Sequence, residues 1–167
     1  DYQRQRVLTF INPSRDPLGT SYNAIQAVIA VGSGMLLGRG FGQGTQAELR
    51  FLPERHTDFI FATISEELGF VGSIIIISAF VFILYRLFII IKNSEDKFSN
   101  IFSILVFLII FVHFFINIGM NIGIIPIVGV TLPFVSYGGS SLLSNFILLG
   151  LIFAVNRGRR REVLEIR

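Results

Sequence analysis

The sequence predicts an all-α polytopic membrane protein. Three observations carry that reading: 52% of the 167 residues are hydrophobic against 15% charged, residues 98–156 contain no Asp, Glu, Lys or Arg, and three apolar runs end at charge, Gly or Pro. A soluble domain carries about 25% charged residues. A chain this short cannot hide so long a neutral stretch in a core of its own, because burial grows slowly with size. The bilayer is the solvent that suits those runs.

Residues 1–68 are expected to form a large extracytoplasmic loop. Within it, residues 22–38 are apolar but interrupted by Gln26, Gly32, Ser33 and Gly34, and they are short for a span. An interfacial or re-entrant helix is favoured there over a fourth crossing. Pro53 suits the first turn of a helix, so 53–68 reads as an acidic helix start. The first transmembrane helix is expected over 69–91, where the run reaches roughly 34 Å at 1.5 Å per residue. Arg86 lies near enough to its end to snorkel. Residues 92–98, beginning KNSEDK, form a short polar loop, and the second transmembrane helix follows over 99–121.

Residues 122–140 belong to an uncharged Pro/Gly-rich stretch that makes a poor continuous lipid-facing helix. Non-helical backbone at membrane depth is tolerated only where it is buried in protein or lines a wet cavity; a loop at the membrane surface is the alternative. The third transmembrane helix, 141–156, is short and is expected to borrow from the Gly-rich stretch before it. The tail 157–167 carries Arg157, Arg159, Arg160 and Arg161, which marks a cytoplasmic flank. Counting back places 92–98 inside and 45–68 outside. The chain opens at Asp1 with neither an initiator Met nor a signal pattern, and it is expected to be a fragment.

The net charge of +3 is not spread as a basic face and no base-reading motif accompanies it, so nucleic-acid binding is not expected. The absence of Cys excludes disulfides, thiolate metal sites and a cysteine nucleophile. His56 and His113 are too far apart for a two-histidine metal site, and no G-x-S-x-G elbow occurs. Alternating glycines in GRGFGQGT around Arg39 offer backbone N–H groups that could cradle phosphate, with a flexible turn as the plainer reading. The densest reactive cluster is Leu49 to Gly69. A helix from Pro53 would put Glu54 and Asp58 on one face at i and i+4, where they could serve catalysis or pair with Arg50 or Arg55.

PERHTDFIFATISEELGFVG (53–72) and NIGMNIGIIPIVGVTLPFVSYGGSS (117–141) resemble two segments of the RodA/FtsW/SpoVE family, the SEDS cell-wall proteins of bacteria. The wording of PERHTDFIF and of NPSRDPLGTSYNAIQ (12–26) is closer to the RodA branch, and the likeness covers nearly the whole chain as the C-terminal portion of such a protein. The resemblance implies a peptidoglycan glycosyltransferase of the bacterial cytoplasmic membrane. It would polymerise lipid II, the undecaprenyl-diphosphate-linked muropeptide, into β-1,4 glycan during elongation and shape maintenance. Membrane lipid and a class B penicillin-binding protein are the implied partners.

The family's proposed catalytic Asp falls on Asp58. A carboxylate there could accept the proton of the attacking 4-hydroxyl, and a diphosphate leaving group needs charge stabilisation more than a proton. Glu54, Arg55, His56, Thr57, Arg39, Arg50, Ser136, Tyr137 and Gly138 are the expected substrate-binding residues. The three arginines are candidates to neutralise the diphosphate. No cofactor is required, and no metal ligands are assigned, although a divalent cation held by Glu54 or Asp58 could do similar work. A lipid II flippase and a non-catalytic scaffold for the penicillin-binding protein are the competing readings. The fragment alone is expected to be inactive.

Overall fold

The structure, a computed structural model, describes residues 20–44, 54–94 and 96–165. Their regular elements are four helices: α1 (Thr20–Ser33), α2 (Ile60–Lys92), α3 (Lys97–Asn121) and α4 (Gly139–Glu165). Residues 1–19 and 45–53, including the first part of the NPSRDPLGTSYNAIQ lead-in and Pro53, lie outside the described residues.

Among the described residues, α2 and α3 are long and apolar enough to cross a membrane. At 1.5 Å per residue they reach about 50 Å and 37 Å against a hydrocarbon core of about 30 Å. The apolar part of α4, Gly139–Val155, is shorter, at roughly 25 Å. The helix starts two residues before the expected Ser141 and continues through the basic residues to Glu165. The 157–167 tail is therefore largely helical where it is described.

The three long helices and the segment before α4 share a core of Phe61, Phe80, Leu87, Val106, Ile110, Leu132 and Ile152, against which Phe114 packs with its ring stacked on Phe80 at 4.7 Å. Large apolar side chains such as Ile75, Phe82, Phe88, Leu105, Phe115, Phe146 and Phe153 face outward, the inside-out pattern that lipid permits and water does not. Asp96 caps α3 by accepting from the Ser99 N–H at 3.2 Å.

With 14 residues, α1 reaches only about 21 Å and is too short to cross. Ala27 and Ala30, three apart on one face, are fully buried against Phe59 and Ala62, with Val31 and Ile127 at the edge. Small side chains let α1 approach α2 closely here.

The boundary expected between residues 68 and 69 is a kink within α2. Gly69 has φ 67° and ψ −159°, outside helical geometry, while the helix continues on both sides. The loop after α1 takes up the backbone groups that the kink releases. The Phe70 and Val71 N–H groups donate to the Met35 and Leu36 carbonyls at 2.8 and 3.2 Å, and the Glu66 and Glu67 carbonyls accept from Arg39 and Gly40 N–H at 3.0 Å each. Buried backbone groups must be paired, and inside a membrane bundle no bulk water can substitute. The fit is backbone on backbone: a Cβ on Gly69 would overlap the Gly38 amide nitrogen, and one on Gly34 would overlap the Ser65 carbonyl.

Candidate active site

Residues 54–59 form turns, and α2 begins only at Ile60. This corrects the expected helix start at Pro53 and the pairing of Glu54 with Asp58 on one helical face. Glu54 sits at φ 57°, where its carbonyl accepts from the N–H groups of Thr57 and Phe59 at 3.1 and 3.3 Å. The Thr57 hydroxyl contacts the same carbonyl at 3.1 Å and the Glu54 carboxylate at 2.9 Å. Local hydrogen bonds of this kind compete with helix and win where a left-handed residue starts the turn.

Three consecutive carbonyls of this turn are held from elsewhere in the fold. The His56 carbonyl accepts from the Tyr137 N–H at 2.7 Å. The Thr57 carbonyl accepts from the Ser136 hydroxyl at 2.6 Å. The Asp58 carbonyl accepts from both Asn117 Nδ2 at 3.0 Å and Asn121 Nδ2 at 3.1 Å. The Ser136 oxygen accepts in turn from the Leu132 N–H at 2.7 Å, and Asn117 also donates to the Val130 carbonyl at 2.7 Å.

The Asp58 side chain, half-buried, meets the Pro/Gly segment at Gly129. That glycine has φ 72°, and a Cβ there would stand 3.4 Å from Asp58 Oδ2. Glu54 and His56 are exposed beside it, as is Tyr137. Arg55 Nε donates to His56 Nε2 at 3.0 Å. The arrangement offers one half-buried carboxylate on a turn whose backbone is held from elsewhere in the fold, with a second carboxylate, Glu54, on the same turn. Among the described residues, no group of three or more His, Asp or Glu is placed to hold a metal.

With this geometry in view, comparison with known proteins is decisive. The family profile FtsW/RodA/SpoVE, described as "cell cycle protein", matches residues 1–161. The chain belongs to this family. It is 47% identical over 160 residues to the peptidoglycan glycosyltransferase MrdB of Escherichia coli K12, covering 96% of this chain and 43% of that protein. It is 42% identical to stage V sporulation protein E of Bacillus subtilis, covering 95% and 43%. To the peptidoglycan glycosyltransferase RodA of Treponema pallidum it is 40% identical, covering 93% and 36%. A solved structure titled "Structural coordination of polymerization and crosslinking by a peptidoglycan synthase complex" matches with a TM-score of 0.73 and 33% identity, over 95% of this chain and 42% of that one. The chain thus spans about two-fifths of the length of these relatives.

The two segments that resemble the FtsW/RodA/SpoVE family meet each other here. Glu54, Arg55, His56, Thr57 and Asp58 share one turn, and Ser136 and Tyr137 fasten it from the other segment. Ser136 is buried with its hydroxyl committed on both sides, so it positions the turn and does not face a substrate. Gly138 opens α4, its carbonyl accepting from Leu142 N–H and the Ser141 hydroxyl.

Arg39 lies farther along α2, its N–H on the Glu66 carbonyl and its Nε 3.3 Å from the Ser33 carbonyl. The phosphate-cradle reading of GRGFGQGT fails: the N–H groups of Gly38, Arg39, Gly40, Gly42 and Gln43 all donate to protein oxygens. Arg50 lies outside the described residues. Sequence reasoning missed Asn117 and Asn121, both fully buried. Two carboxamides four residues apart in an otherwise apolar span were the available signal, because polar side chains at membrane depth are costly and need a reason.

Proposed function

We propose that this chain carries the general base of a peptidoglycan glycosyltransferase that polymerises lipid II into β-1,4 glycan during bacterial elongation, and that the base is Asp58. The observation that carries the proposal is the locked turn: the carbonyls of His56, Thr57 and Asp58 are all engaged, while Asp58 Oδ2 stands 3.4 Å from where a Cβ on Gly129 would lie. The names of the relatives support the reaction class.

An acceptor sugar placed against Gly129 would present its 4-hydroxyl to Asp58. As that oxygen attacks the anomeric carbon of the donor, its proton passes to the carboxylate, the new C–O bond forms with inversion, and the bond to the diphosphate breaks. Proton transfer to a positioned base is worth roughly 10²–10⁴-fold. The leaving diphosphate departs as an anion, so cationic stabilisation serves where glycosidases need a second acid. Arg55 on the same turn and Arg39 on the loop after α1 are the candidate cations for that role. A divalent cation arriving with the diphosphate would find Glu54 and Asp58 as carboxylate ligands.

The enzyme would lie in the bacterial cytoplasmic membrane with the Asp58 turn at the outer face and the arginines of the C-terminal part of α4 inside, consistent with the positive-inside rule. A class B penicillin-binding protein is the proposed partner, supported by the peptidoglycan synthase complex that shares this fold. The test is polymerisation of labelled lipid II by the full-length protein with its partner. Asp58→Asn should abolish glycan synthesis while leaving complex formation intact; wild-type rates from a folded Asp58→Asn enzyme would overturn the assignment. Dithionite quenching of fluorescent lipid II in proteoliposomes separates this activity from lipid transport.

A further inference from the structure

Three strands of chain converge on two carboxamides. Asn121 donates to the Asp58 carbonyl at 3.1 Å and to the Asn117 carbonyl at 2.8 Å, while its own Oδ1 accepts from the Ala62 N–H at 3.2 Å. Asn117 donates to the Asp58 carbonyl at 3.0 Å and to the Val130 carbonyl at 2.7 Å. Both side chains have no solvent exposure. We propose that Asn117 and Asn121 are positioning residues for glycosyl transfer, setting the Asp58 carboxylate against Gly129 through the Asp58 backbone. This rests on Asp58 being the base.

The argument begins at the start of α2. The first N–H groups of a helix have no partner within it, and Phe59, the residue at the cap position, supplies no side-chain hydrogen bond. Asn121 supplies one from the end of α3, accepting from Ala62. The same carboxamide reaches back to residue 58, so a single planar group spans the junction between turn and helix. The position at which α2 begins, and with it the direction in which residue 58 leaves the turn, is therefore determined by α3.

Asn117 makes the second half of the gauge. It bonds Asp58 on one side and Val130 on the other, and Val130 adjoins Gly129. The separation between the Asp58 backbone, from which the carboxylate projects, and the strand that carries Gly129 is thus held by one side chain touching both. Further bonding between the pair, Asn121 Nδ2 to Asn117 Oδ1 at 3.3 Å, limits independent rotation of either amide. Satisfied buried networks of this kind are stiff because every alternative leaves a polar group unpaired.

A base displaced by about 1 Å can cost on the order of 100-fold in rate without loss of affinity, which separates positioning from binding. Asn117→Ala and Asn121→Ala in the full-length enzyme with its partner are expected to lower kcat by about 10- to 100-fold, with KM for lipid II changing by less than about threefold. Asn100→Ala, near the opposite end of α3, should leave kcat unchanged. The rate is taken per folded molecule after thermal unfolding in detergent, and Asn117→Ala, which leaves the Asn121 bonds to Asp58 and Ala62 in place, keeps a folded variant in the set. Wild-type kcat in a folded variant, or a loss confined to KM, would overturn the proposal. Asp58→Asn is assayed alongside: an active Asp58→Asn enzyme removes the base itself, whereas an inactive one beside fully active alanine variants removes only the positioning role.

Discussion

The Ser136 hydroxyl donates to the Thr57 carbonyl across 2.6 Å, joining two segments 79 positions apart in the chain. The same oxygen accepts from the Leu132 N–H, so one buried hydroxyl closes the turn of residues 132–136 and holds the turn of residues 54–59. Its neighbour Tyr137 continues the contact through the His56 carbonyl. What looks like a small, polar signature before α4 is the backrest of the Asp58 turn.

Replacing Ser136 with Ala should therefore act through structure. Two buried backbone groups, the Leu132 N–H and the Thr57 carbonyl, would lose their shared partner. Leaving buried groups unpaired costs about 1–3 kcal/mol, which should appear as a lower unfolding temperature in detergent together with reduced glycan synthesis. A Ser136→Ala enzyme of unchanged stability and raised KM would place the hydroxyl on substrate instead.

The outward face of α2 is a separate test, of membrane contact. Phe82 is 64% exposed near the middle of the apolar run, and lipid is the environment in which that exposure is favourable. Phe82→Arg should disfavour insertion of α2 by about 2.5–3.5 kcal/mol in a translocon assay, whereas Phe82→Leu should insert like the native helix. Equal insertion of the arginine variant would mean that this face does not meet lipid.

The helices were legible because apolar runs and their charged ends are local properties of sequence. The bounds of α3 differ from expectation by only two residues at one end, Lys97 in place of Ser99. The start of α2 was not legible, since it depends on the left-handed Glu54 and on a cap from Asn121, 59 positions beyond Ala62. Spacing at i and i+4 suggested that Glu54 and Asp58 share a face, but that relation holds only if the helix has already begun. GRGFGQGT was ambiguous for the same reason: Gly38 serves a close approach to Glu67 and Gly69, and nothing within eight residues reveals the partner. The Asp58 turn itself could be identified from its likeness to a family, while the residues that hold it came from the fold.

The crossing at Gly69 predicts a sharp contrast between two glycines. At Gly69 a side chain would require a strained φ of 67° and would overlap the Gly38 nitrogen, whereas Gly32 in α1 has nothing within 4 Å of an added Cβ. Gly69→Ala should cost at least about 3 kcal/mol. Gly32→Ala should be neutral or stabilising by up to about 1 kcal/mol, since Ala is the better helix former. Chemical denaturation of the two variants in the same detergent tests both halves; equal stability would mean that the loop after α1 does not pack on the kink.

Gly129 offers the most direct probe of the space in front of the carboxylate. Its φ of 72° strains any residue with a Cβ by about 1–2 kcal/mol, and that Cβ would sit 3.4 Å from Asp58 Oδ2. The distance is ordinary contact, so alanine would not push the carboxylate away; it would occupy the position from which an acceptor hydroxyl has to approach. Gly129→Ala is therefore expected to lose more activity than its stability loss explains, with polymerisation falling at least about tenfold at temperatures where the protein stays folded, a barrier increase of about 1.4 kcal/mol. Gly123→Ala supplies the comparison: its φ of 76° carries similar strain, but its Cβ would press on Val28 and not on the Asp58 carboxylate. If the two variants lose activity in proportion to stability alone, the acceptor does not approach over Gly129. If Gly129→Ala loses activity beyond that proportion and Gly123→Ala does not, the open face of Asp58 is the face that reacts.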